Sequence, residues 1–276
     1  MIAGRVIAKT VPVLTASTIR LGLASLVLLT ILRSFGPLPR VNGRQLATIA
    51  IMGASGVFVF NMLFFAALQK IPASKGALIV ALVPVLTALI VAAVLRERIG
   101  LQRWIGIALA LTGVSVVVTH GQLHQLTAYL ATMFGTGEGL MIMAALGWVT
   151  YTVLSRVALK GLSALAASTY AAWTGTLLLT VALATQPAAW QLDWLDWQSA
   201  LALIYIATFG TALPYVWFVQ GVQQLGPART AVYINLTPVF GVSLGFLVLG
   251  EAIDWSMAVG GLIVIAGVTL TNRSNA

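Results

Sequence analysis

Residues 84–97 read PVLTALIVAAVLRE, and residues 238–251 read PVFGVSLGFLVLGE. Pro84 and Glu97 thus recur as Pro238 and Glu251 at an offset of 154 positions. Upstream, Arg5, Val6, Lys9, Leu14, Ala16, Ser17 and Thr18 recur as Arg156, Val157, Lys160, Leu165, Ala167, Ser168 and Thr169, at an offset of 151. The chain is an internal duplication, and a repeat of this length fixes the architecture before any single motif does.

Composition identifies the solvent for which the repeat was built. Hydrophobic residues make up 60% of the chain and charged residues 8%, with a mean hydropathy of +1.01. A water-soluble domain carries about 25% charge, so lipid is the medium. The apolar stretches approach the roughly 20 residues that a spanning helix needs, and none shows the alternation of a barrel strand. Helices are then the element expected to span. Complete spans are expected near 13–33, 46–68, 75–95, 102–119, 138–158, 164–185, 199–222, 229–249 and 255–271, about nine in all.

The repeats occupy residues 1–120 and 138–272. The second contains a helix before Arg156, and its counterpart should precede Arg5, where only four residues stand. The expected fold is therefore an all-α integral membrane protein, an inverted repeat of five-helix bundles in a ten-helix fold whose first helix is largely missing. Five helices per copy is an odd number, so the second copy enters the membrane from the opposite side. Lys and Arg gather on the cytoplasmic side. Arg96, Arg98 and Arg103 surround Glu97, whereas only Asp254 accompanies Glu251. Arg33, Arg40 and Arg44 follow the span at 13–33, whereas its counterpart is followed by Asp193 and Asp196. Both loop pairs change sign, which places the C-terminus in the cytoplasm. The net charge of +9 then reflects topology and gives no support to nucleic-acid binding.

Inverted repeats of helical spans characterise secondary transporters, whose two packings open a central site to either side. The stretches LVPVLTALIVAAVLRERIGLQRWIGIALALTGV (82–114) and LTPVFGVSLGFLVLGEAIDWSMAVGGLIVIAGV (236–268) resemble the paired repeat ends of the drug/metabolite transporter (DMT) superfamily, EamA branch. The segment PVLTASTIRLGLASLVLL (12–29) resembles its second helix, including Arg20. The resemblance covers nearly the whole chain except the first helix. It implies ten helices, cytoplasmic termini, a bacterial inner membrane and movement of small organic metabolites, with export the expected direction. Amino acids or similar neutral or zwitterionic solutes are the expected cargo. A multidrug or lipid-type carrier of the same fold is the alternative.

Polar and aromatic groups at mid-span depth are costly unless they face a cavity or find a partner. Asn61 and Tyr215 occupy equivalent positions of the two copies, and Ala81 matches Asn235 just before Pro84 and Pro238. These two prolines are helix-kink candidates, since each removes one backbone donor. Trp148 and Tyr151 share a helical face, as do Tyr170 and Trp173. With Tyr215 and Tyr233, they are candidates to line the substrate path, and packing against helices or lipid is the competing reading. Trp190, Trp194, Trp197 and Trp255 read as an interfacial belt. Arg20, the only basic residue placed well inside a span, either meets a substrate carboxylate or serves as a structural fixture, the latter being favoured.

Other chemistries have weak support. The chain has no cysteine, and His120 and His124 have no carboxylate beside them, so neither metal nor cofactor is expected. GTGEG at 135–139 lacks the lysine of a phosphate loop. Gly53–Ala54–Ser55–Gly56 resembles the serine motif of rhomboid intramembrane proteases, but His120 falls at the wrong depth to act as its base. No Asp, Glu or His falls near a bilayer midplane, and Glu97, Glu138 and Glu251 lie at span ends. This predicts a facilitator, or coupling by something other than a buried carboxylate. The partners expected are a small solute and the bilayer, with monomer or homodimer left open.

Overall fold

Seven of the nine expected spans become helices with ends within three residues of those expected; in 75–95 the helix is Val83–Val94, and 241–249 lies outside the described residues. The computed structural model describes residues 13–71, 76, 79–96, 99–119, 121–122, 124, 135–185, 197–237, 239–240 and 255–273. The helices are α1 (Val13–Ser34), α2 (Gly43–Leu68), α3 (Val83–Val94), α4 (Leu101–Val118), α5 (Thr136–Ala158), α6 (Ala164–Ala184), α7 (Trp197–Ala207, continuing through Leu213–Leu225), α8 (Pro227–Val232) and α9 (Trp255–Arg273). Among the described residues there is no strand. Among the described residues five helices are long and apolar enough to cross a membrane, and α3, α4 and α9 form shorter apolar helices.

Local chemistry sets the ends. Asn42 caps α2 in a capping box, accepting from Gln45 N at 2.8 Å while its own N–H donates to Gln45 Oε1 at 3.0 Å. Ser163 caps α6, accepting from Ala166 N. Gly226, at φ 85°, turns the chain between α7 and α8, and Pro227 opens α8, where a missing N–H costs nothing. Pro84 likewise sits in the first turn of α3, after a turn at residues 81–82.

Two helices change pitch midway. A π segment, Gly53–Val59, interrupts α2, and another, Thr208–Ala212, interrupts α7. At the repeat offset of 154 the first segment maps onto 207–213, which contains the second. A π turn misaligns local carbonyls with their usual donors, which frees them for side chains.

The chain packs as two units, and each draws on both sequence copies. The first unit holds residues up to Met62 and Thr150–Gln224. Its α1 and α6 are equivalent segments of the duplication, as are α2 and α7. The second unit holds Leu63–Val149 and the chain from Leu225. There α4 and α9 are the equivalent pair.

Within the first unit, α6 packs on the π segment of α2. A β-carbon on Gly53 would overlap the Ala171 carbonyl oxygen and Thr174, and one on Gly175 would overlap Val57. Such backbone approach is how helices gain contact in lipid, where apolar side chains gain little by avoiding the solvent. Where α6 meets α1, Ser25 Oγ lies 3.0 Å from Thr176 Oγ1, and Trp173 Nε1 donates to Ser25 O at 3.1 Å. Gly22, the equivalent of Trp173, faces Thr176 in return.

The second unit repeats this pattern with glycine alone. A β-carbon on Gly106 would meet Thr271 and the Gly267 carbonyl, and one on Gly113 would meet Val264 and the Gly260 carbonyl. Position rises along α4 as it falls along α9, so the two helices cross antiparallel. Gly106 and Gly113 correspond to Gly260 and Gly267 at the offset of 154.

Candidate functional site

In the first unit, the π segment of α2 ends just before Asn61. The Asn61 side chain turns back and donates from Nδ2 to Val57 O at 2.6 Å, capturing a carbonyl of the irregular segment. That bond fixes the amide so that Oδ1 points the other way, where Arg20 Nη2 of α1 donates to it at 2.8 Å. The cation is thus held by a neutral amide. Its Nε–H is screened from solvent and has no acceptor among the described residues.

Tyr215, on α7 three residues beyond the second π segment, places its hydroxyl beside Asn61 and the Arg20 guanidinium. The hydroxyl also makes a long 3.5 Å approach to Gly56 O. Asn61 and Tyr215 are equivalent residues of the two copies, and they meet. The Tyr151 ring stands edge-on to Tyr215, with centroids 5.7 Å apart and planes at 85°, an arrangement favoured by aromatic quadrupoles. Tyr151 is fully buried, and a β-carbon on Gly56 would overlap its ring. Ser168 stands next to both tyrosines: its hydroxyl donates to Tyr215 O at 3.2 Å and lies near the Tyr151 side chain.

Four expected path residues, Arg20, Asn61, Tyr151 and Tyr215, therefore come together. Tyr170 and Trp173 belong to the same unit but have other partners: Tyr170 donates to Pro39 O at 2.8 Å, and Trp173 to Ser25 O. Trp148, Tyr233, Asn235 and Pro84 belong to the second unit. Asn235 is buried in a 3-10 segment, Tyr233–Leu236, that follows α8. Neither end of its amide has a partner among the described residues. Tyr233, two residues earlier, is exposed.

Several residues singled out in the sequence lie outside the described residues: Arg5, Lys9, Glu97, Arg98, His120, Trp190, Asp193, Trp194, Asp196, Pro238, Glu251 and Asp254. Trp197 and Trp255 are exposed at helix starts. Glu138 is buried in the first turn of α5. Ser55 spends its hydroxyl on a 3.4 Å bond to Met52 O within the π segment. Ser168 and the carbonyls of Gly56 and Val57 are the site groups that sequence reasoning missed. The pair of small residues Gly53 and Gly56, eight and five positions before Asn61, was the available signal.

Residues 1–119 and 135–273 match the EamA-like transporter family. The uncharacterised transporter YyaM of Bacillus subtilis (strain 168) is 31% identical over 252 residues, covering 90% of this chain and 81% of its own. A Streptantibioticus cattleyicolor protein named "Probable terminal-alkyne amino-acid exporter" is 28% identical, covering 86% of this chain and 77% of its own. A crystal structure aligns over 96% of this chain and 90% of its own with a TM-score of 0.75 and 18% identity, a likeness of fold alone.

Proposed function

Because this chain belongs to the EamA-like transporter family, a family of membrane transporters and not of enzymes, we propose that it is a secondary transporter built as an inverted duplication. It moves small organic metabolites, amino acids or similar neutral or zwitterionic solutes, across a bacterial inner membrane by alternating access, in the direction of export.

The observation that carries this reading is reciprocity between the copies. Gly106 meets Gly267, and Gly113 meets Gly260, which are the same contact read from either copy. Ser25 meets its own equivalent Thr176, and Asn61 its own equivalent Tyr215. Residues touch their equivalents when a two-fold axis passes between them, and an axis crossing antiparallel helices reverses one copy relative to the other. Inverted copies can exchange roles, one packing opening to each side of the membrane.

Arg20, Asn61, Tyr151 and Tyr215 supply what a small zwitterion needs: a cation, amide and hydroxyl groups, and aromatic faces. Arg20 also has a structural duty, since its bond to Asn61 steadies the π segment. The exporter named among the relatives supports amino-acid cargo and the outward direction.

Counterflow of labelled amino acids in proteoliposomes tests the reading. Saturable exchange with external unlabelled amino acid is expected, with no dependence on an imposed proton gradient. Among the described residues no Asp, Glu or His lies within a span away from its ends. Exchange of lipids or large cationic drugs in place of amino acids overturns it.

A further inference from the structure

We infer that Arg20 is the anchor for the single carboxylate of the transported solute, with Asn61 positioning the guanidinium and the Tyr151–Tyr215 pair walling the solute's apolar body. The inference rests on the reading of the chain as a carrier of amino-acid-like solutes and names the charge that this site selects.

Arg20 lies eight residues into α1, a span with no acidic residue. A guanidinium offers five N–H donors. Among the described residues it is engaged through one hydrogen bond, from Nη2 to Asn61, and its Nε–H has no acceptor. Asn61 is neutral, so this bond satisfies geometry and leaves the charge uncompensated. No carboxylate pairs with Arg20 among the described residues. A charge inside a span with no protein counter-ion is costly, and such residues mark ion and substrate pathways. A carboxylate fits this fork by shape as well as by sign, since it accepts two parallel N–H bonds.

Asn61 holds the arrangement ready. Its amide is locked by the 2.6 Å bond to Val57 O, so Oδ1 cannot swing away without orphaning a carbonyl of the π segment. The cation therefore stays in one place whether or not an anion is bound. The site also counts charge. The other described cations of this unit, Arg33, Arg40, Arg44, Arg156 and Lys160, are all exposed near helix ends. One half-buried cation inside the span balances one negative charge, which suits a monocarboxylate and disfavours a phosphate or a dicarboxylate. The edge-on Tyr151–Tyr215 pair beside it then favours amino acids with apolar or aromatic side chains.

The test uses the full chain in detergent, with ligand-induced shifts in melting read against L-phenylalanine, L-leucine and L-tryptophan and against their carboxamides. The wild-type protein is expected to bind each acid about ten- to a hundredfold more tightly than its amide. In Arg20→Gln that preference falls to about twofold or less while amide affinity is retained. Asn61→Asp places a carboxylate on the guanidinium from within, and it should abolish the acid preference in the same way. Should Arg20→Gln fail to fold, the wild-type acid-to-amide ratio and Asn61→Asp decide the matter. Equal binding of acids and amides by the wild-type protein, with either exchanged in proteoliposomes, overturns the anchor and leaves amino-acid transport standing. Neither binding nor exchange of any of the six overturns the amino-acid reading and the anchor with it.

Discussion

Replacing Gly113 with alanine should destabilise the protein, although alanine is the better helix former. In an exposed helix interior the change gains about 1 kcal/mol. At Gly113 the added methyl would overlap the Gly260 carbonyl oxygen, Val264 N and the Val264 side chain. Two of these belong to the backbone of α9 and cannot rotate aside, so relief requires moving the helix. Overpacking of this kind costs about 1–3 kcal/mol, and backbone obstacles place it at the upper end, near 3. The net loss is then about 2 kcal/mol, a fall in melting temperature of about 4–8 °C. Gly267→Ala should behave alike, since its methyl meets Ala110 N and the Gly106 carbonyl. Gly139 in α5 is the control: nothing lies within 4 Å of a β-carbon there, so Gly139→Ala should gain up to about 1 kcal/mol. Thermal unfolding of detergent-purified variants, followed by tryptophan fluorescence and monodispersity, gives all three values. If Gly113→Ala proved as stable as Gly139→Ala, the close α4–α9 crossing would be wrong.

Asn61→Leu removes the hydrogen bond that Arg20 makes to Asn61 Oδ1 and orphans Val57 O, so a loss of about 3 kcal/mol in unfolding free energy is expected, with transport reduced in proportion to misfolded protein or beyond. Tyr215→Phe keeps the edge-on pair with Tyr151 and gives up a hydroxyl whose contact with Gly56 O is long, so stability should change by less than about 1.5 kcal/mol while solute affinity falls. Asn42→Ala, at the exposed start of α2, should cost about 1 kcal/mol by losing the cap and leave counterflow unchanged.

Much of this molecule was legible in its sequence, for reasons that differ from helix to helix. The spans expected at 13–33, 164–185 and 255–271 differ by at most two residues at either end from α1, α6 and α9, because charged residues, prolines and glycines bracket their apolar runs. The duplication was also open to view, down to hydrogen bonds: Thr18 donates to Leu14 O and Thr169 to Leu165 O, the same bond in each copy. The π segments were not legible. Their widened turns are stabilised by neighbours far along the chain, such as Tyr151 against Gly56 and Gly175 against Val57, and a local pattern does not record this. The same is true of the site. Equivalence singled out Asn61 and Tyr215, and depth singled out Arg20. That Arg20 bonds Asn61, 41 residues away, depends on how α1 and α2 pack. Tyr170 and Trp173 share a helical face, yet their polar atoms are spent on Pro39 and Ser25, which periodicity alone does not reveal.

The central claim is that the two copies are inverted, and one pair of positions tests it directly. Ser34 and Thr185 are equivalent at the offset of 151 and end α1 and α6; both are exposed, and their hydroxyls bond Ile31 O and Ala182 O, again equivalent. The chain has no cysteine, so Ser34→Cys and Thr185→Cys each introduce a single thiol of nearly the same size. An impermeant maleimide applied to spheroplasts should label Thr185→Cys at once and Ser34→Cys only after the membrane is opened. Labelling of both from the same side would contradict the inversion.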